Sequence, residues 1–131
     1  MIQRIQTIYL LLVALFCGLS YFIFPKLTQT IFDSLLIENM VISYLTLAFM
    51  VSMLTVFLFK NRKLQLRCNK LNLLIHSIFL AGLIYLMSQD QLEGETFKWF
   101  VLPIISIISI LMASRSINKD EELIRSVDRL R

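Results

Sequence analysis

Residues 40 to 59 read MVISYLTLAFMVSMLTVFLF, and the next four are Lys60-Asn61-Arg62-Lys63. The stretch carries no charge, and at about 1.5 Å of rise per residue a helix over it is about 30 Å long, the thickness of a bilayer's hydrocarbon core. Three cations in four residues then end it, where burying charge becomes too costly. The pattern predicts a membrane-spanning helix over 40–59.

Three further uncharged stretches flank this one. Residues 5–25 form the first, with Leu10, Leu11, Leu12, Val13, Leu15 and Phe16 placing apolar surface all round a helix. A cleaved signal peptide is the competing reading, since Arg4 precedes an apolar run. The run is longer than an h-region, however, and no small-residue cleavage site comes before Pro25, so a retained helix is expected. Residues 71–89 form the third, entered from Lys70 and left through Asp90, Glu93 and Glu95. Residues 98–114 form the fourth and shortest span, uncharged from Trp99 to Ser114 and bracketed by Lys98 and Arg115, whose long stems can snorkel to the interfaces.

The composition agrees. Of 131 residues, 57% are hydrophobic and only 17% charged, with a mean hydropathy of +0.74. A soluble bundle needs charge along one face of every helix, and here the charges avoid four long segments. The expected fold is therefore an all-α membrane protein, a single domain over 1–131. Short connections at 60–70 and 90–98 make an up-down-up-down bundle the economical topology. A longer connection, 26–39, holds Leu27, Ile31, Phe32, Leu35 and Leu36, which suit the bilayer surface.

The distribution of cations sets an orientation. Arg4, the five cations of 60–70, and Arg115, Lys119, Arg125, Arg129 and Arg131 fall on one side; Lys26 and Lys98 fall on the other. Under the positive-inside rule this puts both termini and the 60–70 loop in the cytoplasm. The net charge of +4 is thus a topology signal, and nucleic acid is not an expected partner. Past Arg115 the chain turns polar, and Asn118 followed by Glu121 resembles an N-cap with its N3 partner. A short amphipathic cytoplasmic helix is expected over 119–131, with acids first, cations last and an apolar stripe of Leu123, Ile124, Val127 and Leu130.

Chemistry is sparse. Inside the expected spans the one histidine is His76, with Asn72 one turn before it on the same face. An intramembrane ionisable residue marks a proton or metal site by default, but with no acidic partner an interhelical hydrogen bond is the simpler expectation. Cys17 and Cys68 lie on different elements without a C-x-x-C spacing, so neither redox chemistry nor a disulfide is expected. Ala14 with Gly18, Ser77 with Ala81, and Ser106, Ser109 and Ala113 are small residues suited to close helix packing. Pro103 is expected to kink the fourth helix or weaken one of its backbone bonds. No nucleotide, metalloprotease or hydrolase fingerprint occurs, and neither catalytic residues nor cofactor nor metal ligands are expected. The candidate contact surface for a partner or lipid is Lys60, Arg62, Lys63, Arg67 and Lys70 with Leu123, Val127, Arg129 and Arg131; Asn72 and His76 are the candidate intramembrane polar site.

The opening Met1-Ile-Gln-Arg-Ile-Gln-Thr-Ile-Tyr-Leu-Leu-Leu, the turn Phe57-Leu-Phe-Lys-Asn-Arg-Lys-Leu-Gln and the ending Lys119-Asp-Glu-Glu-Leu-Ile-Arg-Ser-Val-Asp-Arg-Leu-Arg resemble, over the whole chain, a family of small bacterial four-helix membrane proteins known as a domain of unknown function. The resemblance implies a bacterial inner-membrane location and brings no catalytic residue with it. A likeness in size to small four-helix drug exporters is superficial, because those rely on a carboxylate in the first helix and this one has none. The expected role is a non-enzymatic accessory or scaffolding subunit acting on another membrane complex through its cytoplasmic segments. The alternative is a small transporter or channel built as a homo-oligomer.

Overall fold

The computed structural model describes residues 2–24, 30–31, 35–89 and 98–128. Among them are four long helices: α1 (Ile2–Ile23), α2 (Ile37–Phe57), α3 (Arg62–Ser88) and α4 (Val101–Asp128). Each is long and apolar enough to cross a membrane. They form a bundle in which α1 packs on α2 and α4, and α3 also packs on α2 and α4. Before α2, the two-residue strands β1 (Thr30–Ile31) and β2 (Leu35–Leu36) pair antiparallel, Thr30 opposite Leu36 and Ile31 opposite Leu35. The side-chain placement expected for the 26–39 connection lies outside the described residues.

Two boundaries differ from the sequence expectation, for the same reason. The 60–70 segment is not a loop. A 3-10 turn, Leu58–Lys60, leads into the single residue Asn61, and α3 begins at Arg62 with Gln65 N–H donating to the Asn61 carbonyl at 2.9 Å. Nor is 119–131 a separate helix, because α4 runs unbroken to Asp128 and Asn118 caps nothing. In both places the inward face carries on through the charged residues. Gln65 and Asn69 continue the line of Asn72 and His76, and Ile117 and Asp120 continue that of Ser106, Ile110 and Ala113, all of them buried. Charge marks where the chain leaves the hydrocarbon, and core packing decides where the helix ends. α3 is 27 residues and α4 28, about 40 Å each, longer than a hydrocarbon core of about 30 Å.

Pro103 does not kink α4. It sits in the first turn, where the missing amide hydrogen has no helical acceptor to lose. Small residues divide by facing: Ala14, Ser106 and Ala113 are in the core, whereas Ser77, Ala81 and Gly18 face outward. Outward surface is otherwise apolar, with Leu15, Leu19, Met50, Leu54 and Ile78 all more than half exposed. That is the surface a lipid solvent requires.

Candidate functional site

The start of α1, the α2–α3 turn and the last turns of α4 meet at one end of the bundle. Gln6 Nε2 donates to Asp120 Oδ2 at 2.8 Å, both residues buried. A cleft of about 500 Å³ lies beside them, lined by Lys60, Asn61, Arg62, Lys63, Leu64, Glu121 and Ile124. Arg62 is half-buried, and its Nη1 is enclosed without a hydrogen-bond partner. Lys63, Arg67 and Lys70 follow at helical spacing, all exposed, so the first turns of α3 turn cations outward and amides inward. This is the basic end.

Of the residues singled out from the sequence, Lys60, Arg62 and Lys63 line the cleft; Arg67 and Lys70 continue outward from it along α3. Leu123 is 55% exposed and Ile124 47%. The side chains of Val127, Arg129 and Arg131 lie outside the described residues. The structure thus joins the basic segment and the C-terminal segment, nearly sixty residues apart in the chain, into one surface.

The intramembrane pair belongs to something larger. Gln65, Asn69, Asn72 and His76 form a buried polar line along α3, and each meets a neighbouring helix. Gln65 Nε2 donates to the Thr55 carbonyl at 3.3 Å, Asn69 Nδ2 to Ser114 Oγ at 3.1 Å and Asn72 Nδ2 to Ser52 Oγ at 2.8 Å. His76 Nδ1 meets the Tyr44 hydroxyl at 2.6 Å, and the Tyr44 ring stacks on Phe79 with centroids 3.7 Å apart. Going up α2 from Tyr44 to Ser52 to Thr55, the partners on α3 descend from His76 to Asn72 to Gln65. The bundle interior therefore carries a connected set of polar contacts, and Asp120 adds a buried carboxylate at the basic end.

Sequence reasoning found Asn72 and His76 and missed their neighbours, because it assigned Gln65 and Asn69 to a loop. The i, i+4, i+7, i+11 spacing of Gln65, Asn69, Asn72 and His76 was the available signal. Tyr44, Ser52 and Thr55 gave none, being ordinary in a charge-free run.

The other half of the core is mainly apolar, with Ser20 bonding to the Cys17 carbonyl of its own helix. Ile37, Val41, Leu45, Leu83, Leu86, Trp99 and Leu102 are buried together, filled in by Phe24, Phe79 and Phe100. Trp99 meets Phe24 edge-on at 5.1 Å. Among the described residues no three His, Cys, Asp or Glu gather as a metal-ligand set. Cys17 and Cys68 are both free thiols, and Cys17 is buried.

The class this geometry defines is a multi-pass helical membrane protein whose apolar core carries a buried polar line of α3 towards one end. A family model described as a domain of unknown function, DUF4293, matches residues 2–130, and the chain belongs to that family. No curated protein and no solved structure matches the chain.

Proposed function

We propose that this chain is a non-enzymatic accessory or scaffolding subunit of the bacterial inner membrane, an up-down-up-down bundle with both ends in the cytoplasm, which binds a partner through its basic end. The observation that carries the proposal is the basic cleft. Lys60, Arg62 and Lys63 of the α2–α3 turn outnumber the acid Glu121 there and meet the apolar Leu64 and Ile124, and α4 extends beyond the bilayer with Leu123 and Ile124 outward. Cations around an apolar centre suit an acidic segment of another membrane protein, with anionic headgroups at the rim. The opposite senses in which contacts run along α2 and α3 support the topology, and the eleven-to-two bias of cations supports the orientation.

The test follows from where α4 is packed. Deletion from residue 119 would remove Asp120 and its bond to Gln6, so a loss of binding would be uninterpretable. Leu123→Ser with Ile124→Ser leaves that contact in place. The double variant should insert normally and lose its partner on affinity purification from native membranes. Unchanged partner recovery would contradict the proposal.

The transporter or channel reading draws on the polar line from Gln65 to His76. In this structure the line stops beneath the apolar cluster of Leu83, Leu86 and Trp99, so transport requires that cluster to part. His76→Ala changes ion or solute flux in proteoliposomes under this reading, and leaves flux at the protein-free background under the docking reading.

A further inference from the structure

Among the described residues, four buried side-chain atoms of the core meet no protein partner: Asn69 Oδ1, Asn72 Oδ1, His76 Nε2 and Ser106 Oγ. All four residues are fully enclosed, with 0% exposure. One end of each amide stays orphaned whichever way it is turned. Each amide faces one hydroxyl, Ser114 for Asn69 and Ser52 for Asn72, so inverting it only exchanges the satisfied end for the orphaned one. His76 behaves likewise: whichever role Nδ1 plays towards Tyr44, Nε2 keeps the complementary one. Buried polar atoms are paired as a rule, and enclosure by the bundle keeps bulk water from these four.

The four atoms also share a place. Asn69, Asn72 and His76 are at i, i+3 and i+7 on one face of α3, about 10 Å from first to last. The Asn69–Ser114 contact fixes the register of α3 against α4. His76 is seven residues from Asn69 and Ser106 eight from Ser114, about two turns along each helix, so Ser106 approaches the level of His76 from α4.

Their chemistry selects the ligand. Two amide oxygens accept, the Ser106 hydroxyl does either, and His76 Nε2 donates when Tyr44 donates to Nδ1. An ion suits only one sense of these groups: as placed, the amide oxygens oppose an anion and a ring N–H opposes a cation, and inverting an amide or the tautomer reverses which ion is opposed, whereas an apolar ligand leaves every group unsatisfied in either case. Water both donates and accepts at this scale and so serves either sense, and about three molecules at hydrogen-bond spacing cover the length; because the four residues have 0% exposure, admitting them takes a small outward shift of the helices around α3. We infer that the bundle core binds a file of ordered waters along α3 from Asn69 to His76, closed at its far end by the apolar cluster. The site is independent of the docking surface, which lies outside the core.

The experiment is proton-detected solid-state NMR of the full chain in lipid nanodiscs, with ¹⁵N-labelled Asn, His and Leu, measuring magnetisation transferred from water. The side-chain amides of Asn69 and Asn72 and the His76 ring should receive it as readily as the Asn61 turn does, while the amides of Leu83 and Leu86 receive none. An Asn72→Leu variant should lose transfer at the His76 ring. Silence at Asn72 and His76 in the wild-type protein, equal to that of Leu83, overturns the inference without recourse to any variant. So do Asn69 and Asn72 side-chain signals that shift when sodium is exchanged for potassium, since these would assign the site to a cation.

Discussion

The two halves of the bundle core solve the same packing problem by different means. At the far end Ile37, Val41, Leu83, Leu86, Trp99 and Leu102 interlock mainly by apolar contact, as in any protein interior. At the basic end α3 offers amides and an imidazole to hydroxyls on α2 and α4, so helix association there depends on pairing. In lipid the tails compete with apolar packing on nearly equal terms, whereas a hydrogen bond discriminates between registers. The comparison teaches that the far half supplies close packing and the basic half fixes which residues face which. It also places the register-setting half beside the end that carries the docking surface.

The largest effect should come from putting polarity in the wrong half. Leu83→Asn buries an amide where no hydroxyl waits, and should cost about 3 kcal/mol in reversible unfolding from mixed micelles. A cost below about 1 kcal/mol would mean that the far half is less tightly closed than its burial implies. His76→Ala comes next. It strands the Tyr44 hydroxyl and removes a fully buried ring, and should cost about 2 kcal/mol by the same assay. Smaller again is the coupling between Ser52 and Asn72, for which a double-mutant cycle with Ser52→Ala and Asn72→Leu should return about 0.6 kcal/mol, the usual scale of such bonds in membranes. The smallest effect on stability belongs to the surface: Lys60→Gln with Lys63→Gln should stay within about 0.5 kcal/mol of wild type. That same pair should abolish partner recovery, which separates binding from folding.

The four spans were legible because lipid enforces a simple rule on composition, and 40–59, stopped by Lys60, Arg62 and Lys63, states it plainly. The helix ends at the basic side were not legible from charge. Arg67 and Lys70 interrupt the apolar pattern, yet Gln65 and Asn69 keep α3 helical by bonding to Thr55 and Ser114, partners that only the fold brings near. Asn118 has the local chemistry of a cap, and the buried Ile117 and Asp120 on either side override it. The polar core was half legible for the same reason. Asn72 and His76 stand out in an apolar run, while Tyr44, Ser52 and Ser114 acquire their meaning from a neighbouring helix. The cleft was legible as two separate segments, and their union required the tertiary structure.

Site-specific photocrosslinking in native membranes tests the docking role most directly, with the crosslinker placed in turn at Lys63, at Ile124 and at the lipid-facing Ile84 of the far half. The account predicts one protein adduct of the same mass from Lys63 and Ile124, none from Ile84, and loss of that adduct from the Ile124 position when Lys60→Gln and Lys63→Gln are present. Adducts that arise from Ile84 alone, or that consist only of a second copy of this chain and survive the lysine substitutions, would contradict it.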